Sequence, residues 1–297
     1  MNPTEPVSVP EPQKIGKFKA SRMLVGESFN ILKHDRELAW FPVLSAMTST
    51  VVLVIFAVAV FFSPISEYIQ VLGSENNQQL NAVGYIVLFV YYLLAFFITN
   101  YFLAGIYTIV HGRFGGKDLS FKDGIANANK HIVRIFTWSL ISATVGIVLQ
   151  IISDKSKIIG KIVSAIFGAA WAILTYFSLP SLVIGERSIK ESFKESASVI
   201  RKTWGETIIV NFGVGLFFGL VTMLVIVIMI GVAILMPVTE TFIVLGVLLA
   251  IYIIALSIVS STLGSIIKCA LYEYATTGAV PQGFTPELIK GSVKARK

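Results

Sequence analysis

Side chains able to do acid–base, metal or nucleophilic chemistry are few in this chain, and they stand apart. The three histidines, His34, His111 and His131, share no metal-ligand spacing such as HExxH. They are expected at the surface, in loops near a membrane interface. Cys269 is the single cysteine, which excludes an intramolecular disulfide and a cysteine cluster. It reads as a small apolar residue at a helix end. Arg113-Phe114-Gly115-Gly116-Lys117 is basic and glycine-rich but lacks the Walker spacing, so it reads as a connecting loop with some capacity for anionic headgroups. Glu273, between Tyr272 and Tyr274, follows Lys268 by about a turn and suggests an exposed interface pair rather than a catalytic acid. No acid, base, nucleophile and metal ligand assemble into a constellation. The chain is expected not to be an enzyme and to need no cofactor.

Two chemistries remain. One is a polar path through apolar surroundings, for which the deepest polar groups are Asn100, Gln150, Asn211, Ser257 and Ser261. Thr99, Thr175, Ser260, Thr262 and Ser265 lie beside them. Hydrogen bonding between helices is the simpler use of such groups. A proton or ion pathway would place Asp, Glu, His or Arg at mid-depth, and almost none lies there. The other chemistry is attraction to anionic lipid headgroups, for which Lys122, Lys130, Lys190, Lys194, Arg201 and Lys202 are the candidates.

The elements that carry these groups are membrane spans. Hydrophobic residues make up 55% of the 297 and charged residues 14%, with a mean hydropathy of +0.78. A soluble globular chain carries about 25% charged residues. The pattern predicts an all-α polytopic membrane protein with six spans, at about 41–63, 83–110, 135–152, 158–184, 207–235 and 242–267. Twenty-one of the 24 Lys and Arg residues fall on one side of this arrangement; only Lys155, Lys157 and Lys161 fall on the other. The positive-inside rule then puts both termini in the cytoplasm and the chain in the cell membrane. The net charge of +7 is a membrane-surface feature, so anionic lipid is the expected partner and nucleic acid is not. Residues 1–14, with four prolines, read as a disordered cytoplasmic tail, and 15–297 as one membrane domain.

One pattern occurs three times: Glu27-Ser28-Phe29, Asp123-Gly124-Ile125 and Glu191-Ser192-Phe193. Thirteen residues after each acid stands an aromatic, Trp40, Phe136 or Trp204, and two apolar spans follow. This predicts three tandem units, about 20–116, 117–185 and 186–284, each made of one amphipathic helix lying in the interface and two spans. Ser120 with Asp123, and Ser188 with Glu191, have the spacing of an N-capping signal. Ile189, Phe193, Ala197, Ile200 and Trp204 would form the apolar stripe of the third helix, as Phe121, Ile125, Ala128, Ile132 and Phe136 would of the second.

The helix-then-span entries Glu27–Pro42 and Ser188–Trp204, and the second spans that close on small residues at Tyr101–Gly116 and Tyr176–Gly185, resemble those of uncharacterised multi-pass membrane proteins of bacteria and archaea. These are loosely similar to the membrane domain that precedes some glycerophosphodiester phosphodiesterases. The resemblance implies an all-helical membrane fold and carries no activity. The expected function is a non-enzymatic membrane-organising protein that binds lipid, or a membrane or cytoplasmic protein partner. A transporter or channel with a path near the pseudo-threefold axis is the alternative.

Overall fold

A computed structural model describes residues 17–69, 71–72, 79–156, 158–235 and 238–285; at 17–22, 71–72, 79 and 202–217 the description covers the backbone alone. Long apolar stretches without acid or base cannot expose their backbone amides in hydrocarbon, and they form helices. In chain order these are α1 (Lys17–His34), α2 (Trp40–Phe61), α3 (Ile65–Tyr68), α4 (Ala82–Phe114), α5 (Phe121–Lys130), α6 (Ile132–Asp154), α7 (Ile159–Leu174), α8 (Ser178–Val183), α9 (Ile189–Leu235) and α10 (Thr239–Thr277). A 3-10 turn, Arg36–Ala39, joins α1 to α2. The loop before α4 holds a two-residue antiparallel pairing of Val71–Leu72 with Gln79–Leu80.

Six segments among the described residues are long and apolar enough to cross a bilayer: Arg36–Phe61, Ala82–Phe114, Ile132–Asp154, Ile159–Val183, Phe218–Leu235 and Thr239–Thr277. The chain is a multi-pass membrane protein. One difference from the sequence reading concerns the third unit. A separate interfacial helix ending near Trp204 is expected there, but α9 runs unbroken from Ile189 to Leu235. No proline interrupts this stretch until Pro237, so the helix continues from the interface into the span. The Trp204 side chain lies outside the described residues.

The core sits at one end of the bundle, which we call the basic end because it carries α1, α5 and the start of α9. Leu24, Leu38, Phe41, Ile106, Tyr107, Ile109, Ile135, Phe177, Leu182, Ile266 and Leu271 are buried together there. At the opposite end the spans are open: Val51, Ile55 and Val58 on α2, Leu224 and Ile228 on α9, and Val247 and Ile251 on α10 are all exposed. In a bilayer this surface meets acyl chains.

Phe41 shows how the basic end closes. Its ring lies 4.5 Å from that of Phe121 and fills the space left by two glycines, Gly105 on α4 and Gly124 on α5. A Cβ on Gly124 would stand 2.8 Å from the ring. The small residue after each repeated acid is therefore a packing position: Ser28, Gly124 and Ser192 are all buried. Of the stripes expected to enter the interface, Ala128 and Ile200 are buried in protein, Phe121, Ile125, Ile189, Phe193 and Ala197 are half-buried, and Ile132 and Phe136 are exposed. On α9 the fully buried face is Ser192, Ser196, Val199 and Ile200, shifted from the expected stripe, while Phe193 is half-buried beside Trp171. α1 packs on α9 and α10, and α5 on α4, so these helices have protein neighbours on the side a lipid would otherwise cover.

Candidate functional site: the polar layer at the basic end

Four groups of polar side chains tie the basic end together. In the first, Arg113 near the end of α4 clamps Asp35 with two N–H donors, one of them at 2.6 Å, and donates to Asp118 at 2.7 Å. Glu37 accepts from the backbone N–H of Phe121 at 2.7 Å and so covers an open donor at the start of α5. Ser120 and Asp123 complete a capping box: the Ser120 hydroxyl and amide donate to Asp123 at 2.7 and 2.8 Å. Ser188 and Glu191 do the same for α9, at 2.8 and 3.0 Å. These bonds hold Asp123 below the ordinary carboxylate value, the Ser120 hydroxyl first; Glu191 is lowered likewise, the Ser188 amide first.

The second group is the turn between α8 and α9. Glu186 takes a left-handed backbone, φ 50°, which is unusual for a residue with a side chain. Lys130 donates to its carboxylate at 2.7 Å, and Arg134 donates to its carbonyl at 3.0 Å. The Lys130 contact lowers the Glu186 pKa. His131 lies beneath, buried, with Nε2 3.8 Å from the Glu186 carboxylate and unsatisfied among the described residues. Burial, then Arg134 and Lys130, hold its pKa below 6.5.

The third group centres on Glu195 of α9. Its carboxylate accepts from the Ser181 hydroxyl of α8 and, at 3.0 Å, from the Tyr272 hydroxyl of α10, with Arg187 Nε 3.9 Å away. Ser196 accepts from the Phe177 amide at 3.0 Å. The side-chain hydroxyls of Ser28, Ser178 and Ser192 are buried without a hydrogen-bond partner among the described residues. In the fourth group, His111 of α4 pairs with Glu273 of α10 at 2.7 Å. Glu27, raised in pKa by burial, accepts from the Thr285 amide at 3.3 Å and fastens the segment after α10 to α1.

The residues singled out from sequence fall into separate places. Lys122, Lys190, Lys194 and Arg201 are exposed, whereas Lys130 is engaged by Glu186. The Lys202 and Asn211 side chains lie outside the described residues. Asn100 donates to Ser139 at 3.0 Å, and Gln150 donates to Asp154 at 2.9 Å. Ser257 and Ser261 face away from the bundle. No hydrogen bond among the described residues joins any two of these polar candidates. Of the expected surface histidines, His34 and His111 are exposed, but His131 is not: it is only 4% exposed, because the Glu186 turn closes over it. Glu195 was legible only as one charge on a polar helix face. The signal that marks it is its setting, an acid between two serines, Ser192 and Ser196, that both turn out buried.

Residues 82–283 match the model of a family of unknown function, DUF6159. The chain belongs to that family. No curated protein and no solved structure matches it. The DUF6159 region begins at the start of α4 and includes the capping boxes, the Glu186 turn and Glu195. Asp35, Glu37 and Phe41 precede it in sequence, yet they bind Arg113, the Phe121 amide and the Gly105–Gly124 slot within it. α1, the 3-10 turn and the first turn of α2 therefore share one core with the DUF6159 region.

Proposed function

We propose that this chain is a non-enzymatic protein of the cell membrane that gathers anionic lipid, or docks a protein partner, at a basic cytoplasmic face. One observation carries the reading. Six acids of the basic end have partners in the protein, Asp35 in Arg113, Glu186 in Lys130, Glu195 in Ser181 and Tyr272, Glu273 in His111, and Asp123 and Glu191 in their capping serines, and Asp123, Glu186 and Glu191 remain exposed. Lys122, Lys190, Lys194 and Arg201 stay outward and enter no ion pair among the described residues. The paired acids keep their charge, so the attraction rests on these four exposed cations, each of which adds about 1 kcal/mol toward an anionic leaflet.

The split of basic residues supports cytoplasmic termini. Three tandem units fit the shared burial of Ser28, Gly124 and Ser192 and the matching caps of α5 and α9. The likeness to the membrane domain of glycerophosphodiester phosphodiesterases would extend only to the span pattern. A transport path gains less support, because Asn100 and Gln150 are occupied locally and Ser257 and Ser261 point outward. The test is lipid co-purification from mixed phosphatidylglycerol and phosphatidylcholine membranes. Changing Lys122, Lys190 and Lys194 together to Gln is expected to lower phosphatidylglycerol enrichment several-fold. Unchanged enrichment, together with solute flux in proteoliposomes, would replace this reading with a transporter.

A further inference from the structure

Lys268 is a cation inside the sixth apolar segment, Thr239–Thr277. Along an α-helix rising ~1.5 Å per residue it stands about 43 Å from Thr239, so it reaches the headgroup zone at the basic end of a bilayer ~40–45 Å thick. No carboxylate pairs with it among the described residues. Its ammonium instead lies 4.1 Å from the centroid of the Tyr176 ring. A cation at that level calls for an anion, since an aromatic face offsets only part of its lost hydration.

Lys268 is half-buried, and the strip of α10 that leads to it opens from half-buried Gly264 to exposed Ser261 and Ser257. Ser257, Ser261, Gly264 and Lys268 follow at spacings of four, three and four, which places them on one face of α10. Ser257 and Ser261 are exposed, and a Cβ on Gly264 would meet nothing within 4 Å. A chain of methylenes can lie along this strip with its polar head at the lysine.

We propose that Lys268, propped on Tyr176, holds the phosphate of one anionic phospholipid of the leaflet at the basic end, with an acyl chain along the Ser257–Ser261–Gly264 strip. This rests on the lipid-binding reading above but differs in kind: one seated lipid rather than a diffuse field from exposed lysines.

The test is native mass spectrometry of the full chain released from vesicles of phosphatidylglycerol and phosphatidylcholine. The wild type retains one phosphatidylglycerol, and Lys268→Arg keeps it. Lys268→Gln and Lys268→Met lose retention about tenfold, the range of one charge-assisted contact. Two neutral variants are used so that a folding failure in one leaves the other decisive. The variant with Lys122, Lys190 and Lys194 changed to Gln retains the seated lipid. If that variant keeps full phosphatidylglycerol enrichment while Lys268→Gln loses the bound lipid, the diffuse reading falls and the seated lipid stands. Wild-type retention in both Lys268→Gln and Lys268→Met overturns the proposal. So does Lys268-dependent binding of inorganic phosphate as tight as that of the lipid, which would make the ligand a soluble phosphate.

Discussion

Replacing Phe41 by Ala tests whether the basic end is closed by one aromatic knob. The ring is fully buried and occupies the slot between Gly105 and Gly124. Removing a buried Phe ring costs about 3–5 kcal/mol, or roughly 6–10 °C in unfolding temperature for a chain of this size. A second change makes the test specific. A methyl on Gly124 would lie 2.8 Å from Phe41 Cζ, 3.0 Å from the Gly105 carbonyl oxygen and 3.1 Å from Ile109 Cδ1. Gly124→Ala alone therefore combines an overpacking cost of about 1–3 kcal/mol with a helix-propensity gain of about 1 kcal/mol. In the Phe41→Ala background the first and nearest of these obstacles is gone. The Gly124→Ala effect should shift toward stability by at least about 1 kcal/mol there. Thermal unfolding of the four proteins in nanodiscs measures the cycle. Additive effects would show that Phe41 does not fill the Gly124 slot, and the account of the core would fail.

Glu195→Ala leaves the Ser181 and Tyr272 hydroxyls without their acceptor, at about 1–3 kcal/mol for each group that stays buried, whereas Glu195→Gln keeps an acceptor oxygen and should lose less than half as much. Equal unfolding temperatures for the two variants would remove Glu195 as the tie between α8 and α10. His131 gives a pH signature. Its folded-state pKa lies below the ordinary 6.5, so the unfolded chain takes up a proton first and stability falls as the pH drops below that value. His131→Gln should flatten this loss between about pH 6.5 and 5, and a wild-type slope in the variant would sink the assignment.

The spans were legible in the sequence because length and hydropathy decide them without reference to neighbours. The caps at Ser120 and Ser188 were legible because a capping box is a local contract between residues three apart. The face that α9 buries was not. Hydrophobic periodicity marks Ile189, Phe193 and Ala197, but Ser192 and Ser196 are the residues that vanish from the surface. Polarity patterns report what avoids water. Between helices, small size matters as much, because it sets how closely two backbones approach. The long-range pairs Arg113–Asp35 and Lys130–Glu186 join residues 78 and 56 apart, and no local signal announces them.

The uneven distribution of packing follows from the solvent. Lipid tails are as apolar as the side chains of the spans, so two helices gain little hydrophobic free energy by meeting in the hydrocarbon. The outward halves of α2, α9 and α10 accordingly keep bare apolar faces. Near water the hydrophobic effect operates again, and there α1, the start of α9 and the end of α10 press Leu24, Ile31, Val199 and Leu271 into one core. The acids of that layer form caps and clamps, while Lys122, Lys190, Lys194 and Arg201 face outward and enter no ion pair among the described residues. On the proposed lipid-binding reading, Arg113→Gln or Lys130→Gln removes a clamp and a cation together and should weaken both the fold and retention of anionic lipid, whereas neutralising exposed Lys122 or Lys194 should weaken only the second.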